Sequence, residues 1–199
     1  GMGAYCPAPI ITPKVHKLVD DRIVRPMFDY LSNLDVPYRG VLYVGLMITE
    51  TGEPSVVEFN VRFADPECQI TLPLIKSDLY DILNYSAHDR LAELDVEFHQ
   101  AHALTIVLAS EGYPSQPEKN RIISGLEFNP PLIEVGQSWI NFAGVKQVDG
   151  MPRSSGGRVL SCSAMAETLE SASKMAYELI ETIYLEGSFY RSDIGNKAL

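Results

Sequence analysis

The chain has 199 residues, 46% hydrophobic and 21% charged, an ordinary globular composition with enough apolar residues for a core. Its formal net charge of −10 argues against a surface that gathers nucleic-acid phosphates. A small phosphorylated ligand held by a few placed cations or a metal remains compatible with it.

No run of about 18 apolar residues occurs, so a membrane span is not expected. The opening Gly1-Met2-Gly3-Ala4-Tyr5-Cys6-Pro7 lacks the basic and apolar segments of a secretory signal. Cys6, Cys68 and Cys162 are odd in number and far apart, which implies neither a disulfide framework nor a zinc site. A reducing cytoplasm is the natural reading.

The N-terminal stretch reads as a loop, Pro-rich at Pro7-Ala8-Pro9. Thr12 is placed to cap a helix with Pro13 in its first turn. Val15, Leu18, Val19, Ile23, Met27, Leu31 and Leu34 then mark a helical stripe to about residue 34, with a kink expected at Pro26. Two strand-like runs follow, Tyr38 to Thr49 and Ser55 to Phe63. The turn residues Glu50-Thr51-Gly52-Glu53-Pro54 join them as a β-hairpin.

Ser77 to about Leu94 reads as one or two helices that bury Leu79, Ile82, Leu83 and Leu91. His102 to Ser110 is expected as a buried strand. The segment from Gly112-Tyr113-Pro114 to Asn120 has the composition of a surface loop. Short strands are expected around Ile122, from Trp139 to Ala143 and from Arg158 to Ala164, then an amphipathic helix from Thr168 to Ile183. Glu167, Glu170, Glu178 and Glu181 form its solvated face. This mixture predicts an α+β fold with a boundary near residues 95–101 and an antiparallel module beyond it.

Chemistry concentrates in Val56-Val57-Glu58-Phe59-Asn60-Val61-Arg62-Phe63-Ala64-Asp65-Pro66-Glu67. Strand alternation puts Val57, Phe59, Val61 and Phe63 on a core face and Glu58, Asn60 and Arg62 on the other. Glu58 and Asn60 offer oxygens suited to magnesium, and Arg62 suits phosphate or carboxylate charge. The acids Asp65 and Glu67 could meet an ammonium or a hydroxyl group. By spacing alone, the simplest reading is a half-exposed antiparallel strand with a solvated polar face. His16, His88, His99 and His102 lack metal-ligand spacing, and Cys68 has no partner base in the sequence. Gly156-Gly157-Arg158 reads as a tight turn opening a strand in preference to a phosphate contact.

Glu-Phe-Asn-x-Arg-Phe-x-Asp-Pro-Glu, preceded by Gly40-Val41-Leu42-Tyr43-Val44-Gly45-Leu46-Met47, resembles the ATP-grasp core of the glycinamide ribonucleotide synthetase family. The opening residues 1–9 are similar to a loop near that family's active site. Lys76-Ser77-Asp78-Leu79, Gly112-Tyr113-Pro114, Gly156-Gly157-Arg158-Val159-Leu160 and Arg191-Ser192-Asp193-Ile194-Gly195 match it in kind and order. The resemblance spans the whole chain and the back half of the family.

It implies a partial ATP-grasp domain over residues 1–98 with an antiparallel sheet and flanking helices, then a small mixed α/β C-terminal module over 99–199. It further implies ATP with Mg2+ or Mn2+ as cofactors, and glycine and 5-phosphoribosylamine as substrates, in cytoplasmic purine biosynthesis. By the resemblance, Glu58 and Asn60 are metal ligands, while Arg62, Asp65 and Glu67 lie near the reacting groups. Ala64 stands where the family has Gly, which would impair the site if that position needs positive φ or close approach.

Without the family's front half, negligible ligase activity is expected of this segment by itself, because positioning contacts are lost. A non-catalytic binding or assembly module that retains the fold is the alternative. Either reading leaves an apolar hairpin face uncovered, and self-association through it is expected.

Overall fold

The computed structural model describes residues 1–126 and 130–199. In chain order, a strand β1 (Gly3–Cys6) precedes helix α1 (Pro13–Val19), a π-helical turn (Asp20–Val24) and α2 (Arg25–Ser32). The hairpin β2 (Tyr43–Ile48) and β3 (Pro54–Asn60) follows, then the short α3 (Cys68–Thr71), α4 (Leu79–Ala87) and a 3₁₀ turn (Leu91–Glu93). The remainder is β4 (His102–Ala109), β5 (Ile123–Ser124), β6 (Gln137–Phe142), β7 (Val145–Val148), β8 (Met151–Ser154), β9 (Arg158–Ala166), α5 (Leu169–Glu181) and β10 (Tyr184–Leu185). The architecture is α+β with antiparallel pairing throughout.

Two compact units form, and neither is continuous in sequence. The first comprises Gly1–Cys6, Asp65–Ile75 and Phe98–Leu199; the second comprises Pro7–Ala64 and Lys76–Glu97.

The first unit is built on a four-stranded sheet in the order β1-β4-β9-β6. Leu104, Ile106, Leu108, Ile140, Leu160 and Cys162 pack on one face with Leu169, Ala172, Ala176 and Ile180 of α5. Ala103, Trp139 and Met165 pack with Ile70, Leu74 and Ala101 in a second apolar cluster. With apolar packing on both sides, β4 and β9 are near-continuous buried runs instead of alternating ones. Thr105 accepts a 2.7 Å hydrogen bond from Ser163, whose hydroxyl also lies 3.0 Å from Asn141 Oδ1, so these polar groups are paired inside.

Thr168 caps α5 by accepting from the Ser171 amide at 3.1 Å. Glu170, Glu178 and Glu181 of α5, and Glu167 just before its cap, face solvent as the sequence predicts.

Two strands of this unit differ from the sequence reading. Residues 3–6 are not a loop but edge strand β1, with Ala4 opposite Thr105 and Cys6 opposite Ala103. The β7–β8 hairpin lies outside the strands expected from the sequence; it turns on Asp149 and Gly150, both at positive φ (51° and 76°), the geometry for which an Asp-Gly pair is suited.

In the second unit, Thr12 caps α1, its side chain accepting from the Val15 amide at 3.3 Å. The expected kink at Pro26 is a π-helical turn: the Arg25 amide reaches back to the Asp20 carbonyl, just before the residue that has no N–H to give. The stripe holds from Val15 to Leu31, while Leu34 is exposed.

The β2–β3 hairpin forms with a bulge between Gly45 and Leu46. It ends at Asn60, three residues short of the expected limit at Phe63. Val57, Phe59, Val61 and Phe63 are exposed, so the expected core face is open. Leu79 and Ile82 are only half-buried, and Leu83 and Leu91 are exposed. Val15 and Ala64 are the only buried residues here. Periodicity selects the apolar side of an element, but two strands and short helices supply too little layer to cover it. Among the described residues, no helix is long and apolar enough to cross a membrane.

Candidate functional site

β3 positions the first pair of residues. Glu58 and Asn60 lie two apart on the strand and therefore project to the same side. The Asn60 amide Nδ2 donates to Glu58 Oε1 at 2.9 Å. Gly45 lies opposite Glu58, and Tyr43 opposite Asn60. A Cβ at Gly45 would come within 3.1 Å of Glu58 Cγ, so a side chain there would press on the carboxylate.

The pair presents oxygen donors with no sulfur or imidazole, the chemistry of a site for a hard divalent cation. No group of three or more His, Cys, Asp or Glu residues is placed to hold a metal among the described residues. Two protein oxygens completed by phosphate and water is the arrangement such a pair can support.

Arg62 lies beyond the strand, exposed, with Nη1 donating to the Phe63 carbonyl at 3.2 Å. It is therefore not in line with Glu58 and Asn60 on the ladder. Ala64 is buried and its φ is not in the left-handed region, so a side chain is sterically at home there.

Asp65 and Glu67 belong to the first unit. Both carboxylate oxygens of Asp65 are engaged: Oδ2 lies 3.0 Å from Arg158 Nη2, and Oδ1 accepts from Gln69 Nε2 at 3.1 Å. Arg158 Nη1 donates to the carbonyls of Asp65 and Gly1, each at 3.1 Å. Glu67 is half-buried, and its carboxylate makes no hydrogen bond or ion pair among the described residues.

Cys68 donates its thiol to Gln69 Oε1 at 3.1 Å. Burial first, then the charges of Asp65 and Glu67, push that thiol up, which disfavours a nucleophilic thiolate. Gly156 and Gly157 form the turn that opens β9, and the ring of Tyr113 packs directly on Gly157. The role of Arg158 was not visible in the sequence, because its partners lie 93 and 157 positions away.

Lys76-Ser77-Asp78 is a structural joint. Asp78 caps α4, accepting from the amides of Tyr80 and Asp81 at 2.8 and 3.2 Å, and Lys76 pairs with Glu97 at 2.7 Å. Elsewhere in the second unit, a cavity of about 400 Å³ is lined by Phe28, Leu31, Tyr38, Arg39, Leu42 and Asp89 among others. None of Glu58, Asn60, Arg62, Asp65 and Glu67 lines it.

Residues 1–68 match the family model for the phosphoribosylglycinamide synthetase ATP-grasp (A) domain, and residues 103–197 match the model for its C domain. The chain belongs to the phosphoribosylglycinamide synthetase family. It is 41% identical over its whole length to the phosphoribosylamine–glycine ligases of Leptospira interrogans and Chlorobaculum tepidum, and covers 46% of each. The chain thus spans about half the length of these relatives and corresponds to their C-terminal half.

The crystal structure of phosphoribosylamine–glycine ligase from Thermotoga maritima superposes with a TM-score of 0.80 at 34% identity, covering 98% of this chain and 46% of that one. The biotin carboxylase domain of Hydrogenobacter thermophilus 2-oxoglutarate carboxylase, solved with MgADP and bicarbonate, shares the fold. Its TM-score is 0.63 at 14% identity, covering 95% of this chain and 40% of that one.

Proposed function

We propose that this segment supplies the metal-bearing hairpin and the C domain of an ATP-dependent ligase joining glycine to 5-phosphoribosylamine in cytoplasmic purine biosynthesis. Residues 1–98 would contribute to the ATP-grasp part and 99–199 the C-terminal domain. The observation that carries this reading is the hydrogen-bonded Glu58–Asn60 pair, an oxygen-donor set inside the segment matched by the ATP-grasp (A) domain.

In the proposed reaction, the glycine carboxylate takes the γ-phosphoryl group of ATP, releasing ADP. The amine of phosphoribosylamine then attacks the acyl carbon, and phosphate leaves. Glu58 and Asn60 would hold Mg2+ or Mn2+. That ion, when bound, supplies charge neutralisation between phosphate oxygens during phosphoryl transfer. Arg62, Asp65 and Glu67 are proposed to act near the reacting groups. Orientation supplies much of the rate in such transfers, so turnover should need the family's N-terminal half, whether joined in one polypeptide or added separately.

The test is release of ADP by the chain mixed with the N-terminal half of a family member, in the presence of Mg-ATP, glycine and phosphoribosylamine. ADP release that requires both substrates and both halves supports the proposal. Turnover by the chain alone would contradict the dependence on the N-terminal half. Silence in the mixture from a folded chain would favour a non-catalytic binding or assembly module instead.

A further inference from the structure

Arg158 ties together three stretches of chain that are remote in sequence. Its own position is the first residue of β9, and its guanidinium holds the Gly1 carbonyl, the Asp65 carbonyl and the Asp65 carboxylate. A guanidinium is planar and carries five donors in a fixed fork, so one side chain can serve two carbonyls and a carboxylate at once. The ammonium of lysine has no such fork. The neighbouring turn fixes the approach: the Gly157 carbonyl accepts from the Ser110 amide at 2.8 Å, and Tyr113 packs on Gly157. Met2, next to Gly1, is held to the sheet by the Val107 amide at 3.0 Å.

This arrangement separates the two acids of the Asp65-Pro66-Glu67 turn. Asp65 is occupied on both oxygens by Arg158 and Gln69. Taking up a substrate proton or ammonium there would first require breaking a guanidinium pair. Glu67, two residues on, is half-buried and has no side-chain partner among the described residues.

We propose that Arg158 is a positioning residue of the ligase, locking Asp65 and the Gly1-Met2 segment so that Glu67 is the acid of this turn offered to substrate. The inference rests on the ligase reading above. Arg158 acts through Asp65 and need not touch the reacting atoms.

The experiment uses the reconstituted two-half enzyme with Arg158→Ala, Arg158→Lys, Asp65→Asn and the Arg158→Ala/Asp65→Asn pair. With positioning lost, kcat falls by roughly tenfold or more while KM for ATP stays within about twofold. Added guanidinium ion restores part of the Arg158→Ala rate, and Arg158→Lys does not match that recovery. The double variant is no slower than the worse single variant, because both changes remove one coupled unit. A kcat within about twofold of the parent for Arg158→Ala, or fully multiplicative losses in the double variant, would overturn the proposal.

If the parent mixture itself shows no turnover, the ligase reading has failed, and the lock is then judged on the chain alone. Hydrogen exchange at the Val107 amide reports the seating of Met2. Acceleration in Arg158→Ala supports the lock, and unchanged exchange overturns it.

Discussion

Asn60 donates its side-chain amide to Glu58 across two residues of β3, 2.9 Å from Nδ2 to Oε1. The bond fixes the rotation of the amide: with the nitrogen turned to the carboxylate, Asn60 Oδ1 is the oxygen left to offer. On the reading proposed above, that oxygen and the Glu58 carboxylate are the donors offered to the cation. Asn60→Leu keeps the volume and removes both the donor and the oxygen. In the reconstituted ligase it should raise the magnesium concentration at half-maximal turnover by roughly 10- to 100-fold, in line with the loss of a hydrogen bond to a charged group and of one ligand. Titration of turnover with magnesium checks this; an unchanged half-saturation point would remove Asn60 from the metal site.

The two units predict opposite responses to truncation. Leu160, 1% exposed in the β9–α5 layer, should lose about 2–5 kcal/mol of stability as Leu160→Ala, because a cavity adds to the lost transfer energy. Val57, 66% exposed on the hairpin, should change stability by less than about 0.5 kcal/mol as Val57→Ala. Urea unfolding of the two variants beside the parent measures both.

The apolar runs of β4 and β9, the β2–β3 hairpin with its Gly52 turn and the Thr168-capped last helix were legible because each is fixed by local sequence. The elements that escaped depend on partners or on layers. β1 is four residues long and becomes a strand only by pairing with β4, about 100 positions away. The burial expected for Leu83 and Leu91 failed because periodicity names a face without supplying its cover. The β7–β8 hairpin carries a local signal, Asp149-Gly150, between strands of only four residues each. Strand alternation sufficed to put Glu58 and Asn60 on one side of β3. It overextended the row to Arg62, which lies past the strand end, and it could not show that Arg158 occupies Asp65.

Burial pushes the Cys162 thiol up from its ordinary 9.0 to about 12. In the unfolded chain that thiol ionises first, so the stability it contributes is complete below about pH 9. That contribution falls as pH rises toward 12, by about 1.4 kcal/mol per pH unit within the window. Between pH 9.5 and 10.5, unfolding free energies should therefore drop more steeply for the parent than for Cys162→Ala. Equal slopes would show that the thiol is not held protonated by the fold.

The open hairpin carries Met47 (63% exposed) and Val57, and Val61 (65% exposed) follows directly past the end of β3. Apolar groups crowded on so small a surface favour association. Light scattering on the chain alone should show a mass that rises with concentration and falls back in Val57→Lys and Val61→Lys. A clean monomer at high concentration would contradict this.

The central claim is that the Glu58–Asn60 pair is the metal-holding part of a glycine-activating ligase. Its most direct test is glycine- and phosphoribosylamine-dependent ADP release from the chain plus a family N-terminal half, compared between the parent and Glu58→Ala. The account predicts turnover in the parent mixture and a loss of roughly 100-fold or more in the variant, with both chains equally folded by circular dichroism. Parental turnover in the Glu58→Ala mixture would contradict it.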